Sequence, residues 1–154
     1  MKTLRSAGFL NVDLDIKSSR PLKSFVAEMG SAIILLHSGP HKGRHFVRLE
    51  SARNVATPNA AVRHLCRTVE RLSSDGRKVW DRAKHKEFSV GYDLRAGARS
   101  VEVALSPQTV KRIAALGASV AFTCYRDHDS EQDGCTEPGD GASVPGGKSV
   151  APDR

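Results

Sequence analysis

Apolar and polar residues alternate strictly over residues 10–16, where Leu10, Val12, Leu14 and Ile16 fall on one side of an extended chain and Asn11, Asp13 and Asp15 on the other. A period of two marks a half-buried strand. The next segment, SSRPLKSFVAEMG, changes period: Leu22, Phe25, Val26 and Met29 form a helical stripe, with a proline in the first turn and Gly30 as the stop. Residues 31–37 and 46–50 return to strand, joined by the loop SGPHKGRH, which predicts a hairpin.

The clearest helix follows. Thr57 caps it, Pro58 opens it, and Val62, Leu65, Cys66, Val69 and Leu72 recur at helical spacing. SSDG breaks the run before a short helix, RKVWDRA, with Val79, Trp80 and Ala83 facing inward. Residues 87–94 alternate again, with Phe88, Val90, Tyr92 and Leu94 on one side and Glu87, Ser89, Gly91 and Asp93 on the other. RAGARS is a predicted turn into a further strand through Val101, Val103 and Leu105. Ser106 and Pro107 start the last helix, Gly117 ends it, and residues 120–125 form the closing strand.

The predicted order is β-α-β-β-α-β-β-α-β. Its first six elements spell the ferredoxin-like β-α-β-β-α-β arrangement, extended by a further β-α-β. Because the strands alternate, helices are expected on one sheet face only, giving an α+β two-layer sandwich over residues 4–126. Residues 127–154 are dense in Gly, Pro, Ser and Asp without apolar periodicity, and are expected to form a disordered acidic tail.

Charge sharpens this division. Of 154 residues with a net charge of +7, those up to Arg126 carry 22 bases against 10 acids, whereas from Asp127 onward seven acids face Lys148 and Arg154. A basic body draws nucleic acid, acidic protein or anionic lipid without specifying among them. The longest apolar run, residues 32–36, is far short of the roughly twenty residues that span a bilayer, and MKTLRSAGF lacks a signal-type apolar core. A cytoplasmic protein is expected. Three scattered cysteines fit neither a disulfide framework nor a CxxC pair, so Cys66 and Cys124 are read as buried apolar residues in a reducing compartment.

The segments LNVDLDI, VERLSSDGRKVWDRAKHKEFSVGYD and LSPQTVKRIAALGASVAFTCY together resemble a bacterial α+β family known only as domain of unknown function 4279. The resemblance covers most of residues 10–125 and implies a fold without catalytic residues to carry over. Some relatives stand beside toxin genes, which implies an immunity role by association.

Three candidate sites emerge. Residues two apart on a strand share a face, so Asp13 and Asp15 project together, and a fourth strand beside the first would add Ser89 and Asp93. With Asn11 and Tyr125 they form the expected surface for a protein partner, of a non-enzymatic interaction module. The same carboxylates could instead hold a divalent metal for phosphoryl transfer, although no phosphate loop accompanies them. A second surface, Arg63, Arg67 and Arg71 with Arg77 and Lys78, suits nucleic-acid phosphates. Open-sheet readers of RNA stack bases on aromatics, and the polar faces offer little beyond Tyr125. His37, His41 and His45 recur every fourth residue across a predicted loop, where that spacing does not guarantee convergence on zinc. Neither a metal nor any cofactor is therefore assigned. GASVPGGKS imitates a phosphate loop with the wrong glycine spacing, and no Ser-His-Asp constellation is evident.

Overall fold

The computed structural model describes residues 8–94 and 101–126. The predicted RAGARS turn and acidic tail lie outside the described residues. Five strands form one sheet: β1 (Gly8–Ser18), β2 (Ile33–His41), β3 (Arg44–Ser51), β4 (His85–Leu94) and β5 (Ser119–Arg126). Their order is β2-β3-β1-β4-β5. The first four strands pair antiparallel in the ferredoxin-like order, and β5 adds alongside β4 in parallel. Four helices, α1 (Lys23–Met29), α2 (Pro58–Glu70), α3 (Ser74–Arg82) and α4 (Pro107–Ala115), accompany them. The chain is an α+β sandwich.

Core formation follows from the alternation. Val12, Leu14 and Ile16 of β1, Val47 and Leu49 of β3, and Phe88, Val90 and Tyr92 of β4 are buried beneath Phe25, Val62, Leu65, Cys66, Val69, Trp80 and Ile113 from the helices. Burying each large apolar side chain contributes about 2 kcal/mol, so this one-sided layer outweighs any local propensity. Trp80 is the centre of the helical layer: it stacks on Phe25, with ring centroids 6.2 Å apart, and its indole N–H donates to the Leu116 carbonyl at 2.9 Å.

Helix starts follow their caps. Thr57 Oγ1 accepts from the Ala60 N–H and Ser106 Oγ from the Thr109 N–H, each with proline at the first helical position. Ser73 Oγ accepts from the Gly76 N–H, so SSDG is the first turn of α3 and not the break expected from its composition. Pro21 lies ahead of α1 and not within its first turn, because the first helical hydrogen bond runs from Val26 N–H to the Leu22 carbonyl.

Three further departures have physical causes. The expected eight-residue loop shrinks to a two-residue turn, with Lys42 at φ +50° and Gly43 at φ +73°, the left-handed pair that hairpins favour. Pro40 is tolerated within β2 because that strand is an edge. Residues 101–105 form no strand, since β5 occupies the place beside β4; Val101, Val103 and Leu105 still pack partly buried against the core. Finally, the register of β1 on β4 shifts between Phe9 and Asn11. Phe9 thereby takes the core row, its ring 5.9 Å from that of Tyr92, while Leu10 turns out to solvent instead of joining Val12, Leu14 and Ile16.

Cys66 is buried, and loss of water pushes its thiol up to about 12, as befits a packing residue. Cys124, expected to be buried, is exposed because its strand is the other edge of the sheet. Among the described residues no helix is long and apolar enough to cross a membrane.

Replacing Trp80 tests the layer. Trp80→Ala should lower unfolding free energy by about 4 kcal/mol, and Trp80→Phe by about 1–2 kcal/mol through the orphaned Leu116 carbonyl, both read by urea denaturation.

Candidate functional site

Alternation puts Asn11, Asp13, Asp15 and Lys17 of β1 on the sheet face that the helices leave open. Their cross-strand partners complete the surface: Glu50, Arg48 and Phe46 of β3 stand opposite Asp13, Asp15 and Lys17. On β4, Gly91, Ser89, Glu87 and His85 stand opposite Asn11, Asp13, Asp15 and Lys17.

Arg48 organises the carboxylates. Its Nε and Nη2 donate to the two Asp15 oxygens at 2.8 and 2.7 Å, and Nε lies 3.6 Å from Asp13. Asp15 is thereby covered to 7% exposure on the nominally open face. A carboxylate so far removed from water requires such a fork of charge-assisted hydrogen bonds. Hydrogen bonding to Asp15 in turn raises the Arg48 pKa further above its ordinary value.

Asp13 is differently placed. Asn11 donates to it at 3.0 Å, but burial raises its pKa to about 6, against the opposing pull of Arg48 and with a further push from Glu50 and Asp15. One guanidinium therefore serves two aspartates, with Glu50 adding a third negative charge.

The structure brings together only part of the predicted cluster. Asn11, Asp13, Asp15 and Ser89 share the open face as expected, whereas Asp93 pairs with Gly8, four residues along β4 from Ser89 and so roughly 13 Å away at strand rise. The third carboxylate beside Asp13 is Glu50, and the one beside Asp15 is Glu87. Among the described residues no three potential ligands are grouped to hold a metal.

Tyr125 stands on β5, two strands from β1, yet it reaches the same place. Gly91 lies between, and a Cβ there would be 2.8 Å from Asn11 Oδ1, 3.6 Å from Tyr125 Cε2 and 3.7 Å from Leu10 Cβ. The missing side chain lets three others converge. The result is a shallow hollow lined by Leu10, Asn11, Asp13, Glu50 and Tyr125, in which Leu10 is 51% and Tyr125 56% exposed.

The open face is not uniformly acidic. Phe46 carries His37 and His41 against its ring, at 5.4 and 5.8 Å, with Lys17 and Arg48 each 5.8 Å from its centroid. His37 and Phe46 were expected in strands and His41 in the loop; their meeting depends on the register of β2 on β3, which sets Gly39 opposite Phe46. His45 pairs with Pro40, in the other alternation row, so the three histidines do not converge.

The predicted basic surface is also divided. Arg63, Arg67 and Arg71 are exposed on α2 and just beyond it. Arg77 and Lys78 belong to α3, where Arg77 Nε is 3.4 Å from Asp81 and Lys78 Nζ 2.8 Å from Asp75. No family model, curated protein or solved structure matches the chain.

Two substitutions test the charge arrangement. Asp13 binds its proton more tightly when folded than unfolded, so its contribution to stability is fully present below pH 4 and is lost as pH rises to about 6. Asp13→Asn removes that dependence: relative to the variant, the native chain should lose about 2 kcal/mol between those limits, with no further change above pH 7, in urea titrations. Arg48→Gln strands Asp15 and should cost about 3 kcal/mol at pH 7, whereas adding Asp15→Asn to it should recover most of the loss.

Proposed function

We propose that the protein is a non-enzymatic interaction module that receives a lysine or arginine of a partner protein in the hollow between Tyr125 and Leu10. The observation that carries this reading is the surplus of negative charge on the hollow's floor. Asp13 and Glu50 are cross-strand neighbours, and Arg48, which among the described residues is the cation paired with Asp13, is committed by its fork to Asp15. Like charges facing each other across a ladder are destabilising, and a cation entering between them relieves the repulsion.

The walls suit the same ligand. Tyr125 offers a ring face for a cation, and Leu10 an apolar surface for the methylene stem of a long basic side chain. Tyrosine is among the residues enriched at interface centres, and Tyr125 is 56% exposed at the rim of this hollow. Catalysis has less support: Arg48 occupies Asp15, and the hollow is shallow.

The resemblance to a family found beside toxin genes favours an immunity or defence-associated role, with the toxin as the basic partner. Action in the cytoplasm suits the unpaired Cys66 and the exposed Cys124, both free thiols.

The test is affinity capture with the full chain immobilised, comparing the native protein with Asp13→Asn/Glu50→Gln and with Tyr125→Ala in extracts containing the products of adjacent genes. A polypeptide retained by the native chain and lost from both variants, each still folded, is expected. Identical retention by all three would overturn the reading.

A further inference from the structure

A second concave site lies at the helical layer, with lining residues distinct from those of the Asp13 hollow. Ser51 ends β3, and the chain passes through Arg53 and Val55 before α2 begins at Pro58. Positions 60, 63, 64 and 67 lie along one flank of α2, because residues three and four apart are neighbours on a helix. Arg53, Val55, Ala60, Arg63, His64 and Arg67 together line a hollow of about 230 Å³ that contains no carboxylate.

We propose that Arg53, Arg63, His64 and Arg67 form a binding site for the terminal phosphate of a small phosphorylated molecule.

Three features support it. First, the guanidiniums are uncommitted. Among the described residues Arg48, Arg77 and Arg112 each face a carboxylate, at Asp15, Asp81 and Glu70, while Arg53, Arg63 and Arg67 pair with none. Three unneutralised cations around one depression repel one another, and an anion removes that repulsion.

Second, the histidine is held in place. Its Nδ1 lies 2.8 Å from Ser51 Oγ, and Ser51 is buried and fixed in turn by the Arg53 N–H, which donates to Oγ at 3.2 Å. With Nδ1 engaged by a buried hydroxyl, Nε2 remains to meet a ligand. Fixed orientation is what a binding group requires and a solvated surface histidine lacks.

Third, the positive field converges on this ring. Burial lowers the His64 pKa, and Arg53, Arg71 and Arg67 lower it further, in that order. The groups facing His64 are therefore Ser51 from β3, Arg53 from the connection, Arg67 on α2 and Arg71 at its C-cap. A bound phosphate dianion would reverse this effect by stabilising the imidazolium.

Guanidiniums recognise phosphate oxygens through paired N–H donors, which favours phosphate over a simple halide. A single terminal phosphate fits better than a nucleic-acid strand. Strand binding draws on a long row of phosphate contacts, and Arg77 and Lys78, which would continue the row, are engaged by Asp81 and Asp75.

The experiment is a titration of the full chain, following the His64 ring resonances by NMR at constant ionic strength. The probes are inorganic phosphate, adenosine 5′-monophosphate and a ten-nucleotide single-stranded DNA, with chloride as control. Saturable shifts with phosphate and the monophosphate, together with an upward move of the His64 titration midpoint, are expected. Arg63→Gln/Arg67→Gln should weaken both at least tenfold, while Arg77→Gln/Lys78→Gln leaves them unchanged. Ser51→Ala should weaken binding while retaining the fold. The site is overturned if phosphate and the monophosphate act no differently from chloride, if the α3 variant loses as much as the α2 variant, or if only DNA binds. None of these outcomes involves Asp13, so the partner surface stands or falls separately.

Discussion

The open face of the sheet rests on the fork that Arg48 makes to Asp15. The central strand of a five-stranded sheet has neighbours on both sides, and an acidic residue there is flanked by backbone and side chains wherever it points. Asp15 has lost nearly all of its water, and the two hydrogen bonds from Arg48 replace that solvation. This requirement fixes β3 against β1 in a register that a slip of one residue would destroy, because Arg48 would then point into the core. The apolar layer on the other side demands the same register, with Leu14 opposite Leu49 and Ile16 opposite Val47. Polar and apolar faces thus agree on one alignment, and such agreement makes a fold unique.

The commitment of Arg48 to Asp15 has a consequence for Asp13. A guanidinium engaged through two nitrogens with one carboxylate is only a distant partner for the next, and Glu50 opposes Asp13 from the adjacent strand. Asp13 therefore stays poised between protonation states near pH 6, while its neighbour two residues away is locked into an ion pair. Two aspartates with nearly identical sequence surroundings acquire different chemistry from one long-range contact. The bulge at Leu10 and the bare backbone at Gly91 then decide what stands around Asp13: a leucine and a tyrosine, not further charge.

Much of this architecture was legible in the sequence. Alternation placed Asp13 and Asp15 on one open face, the element order predicted that β4 would lie beside β1, and the caps at Thr57 and Ser106 located two helix starts. What escaped was whatever depends on pairing partners distant along the chain. Arg48 lies 33 residues from Asp15, and no local pattern links them. Glu50 was legible as a strand residue but not as the neighbour of Asp13, since that needs the register of β3. Asp93 was misplaced because antiparallel pairing carries it away from Asp13 toward the start of β1. The strand expected at Val101 and Val103 satisfied every local criterion and failed on topology: a sheet edge accepts one neighbour, and β5 took it.

Ser51 and His64 show the same limit from the other direction. One ends a strand and the other lies nearly two turns into a helix, and their meeting depends on how α2 is laid across β3. The helix stripe led by Val62 and Leu65 determines which flank of α2 turns outward, and the row Ala60, Arg63, His64 and Arg67 follows from it. Core packing therefore sets the basic hollow as surely as it sets the acidic one. Each layer of the sandwich turns its apolar side inward and leaves a charged depression on its outer side, acidic on the sheet and basic on the helices. The two hollows share no lining residue, so neither sets the composition of the other.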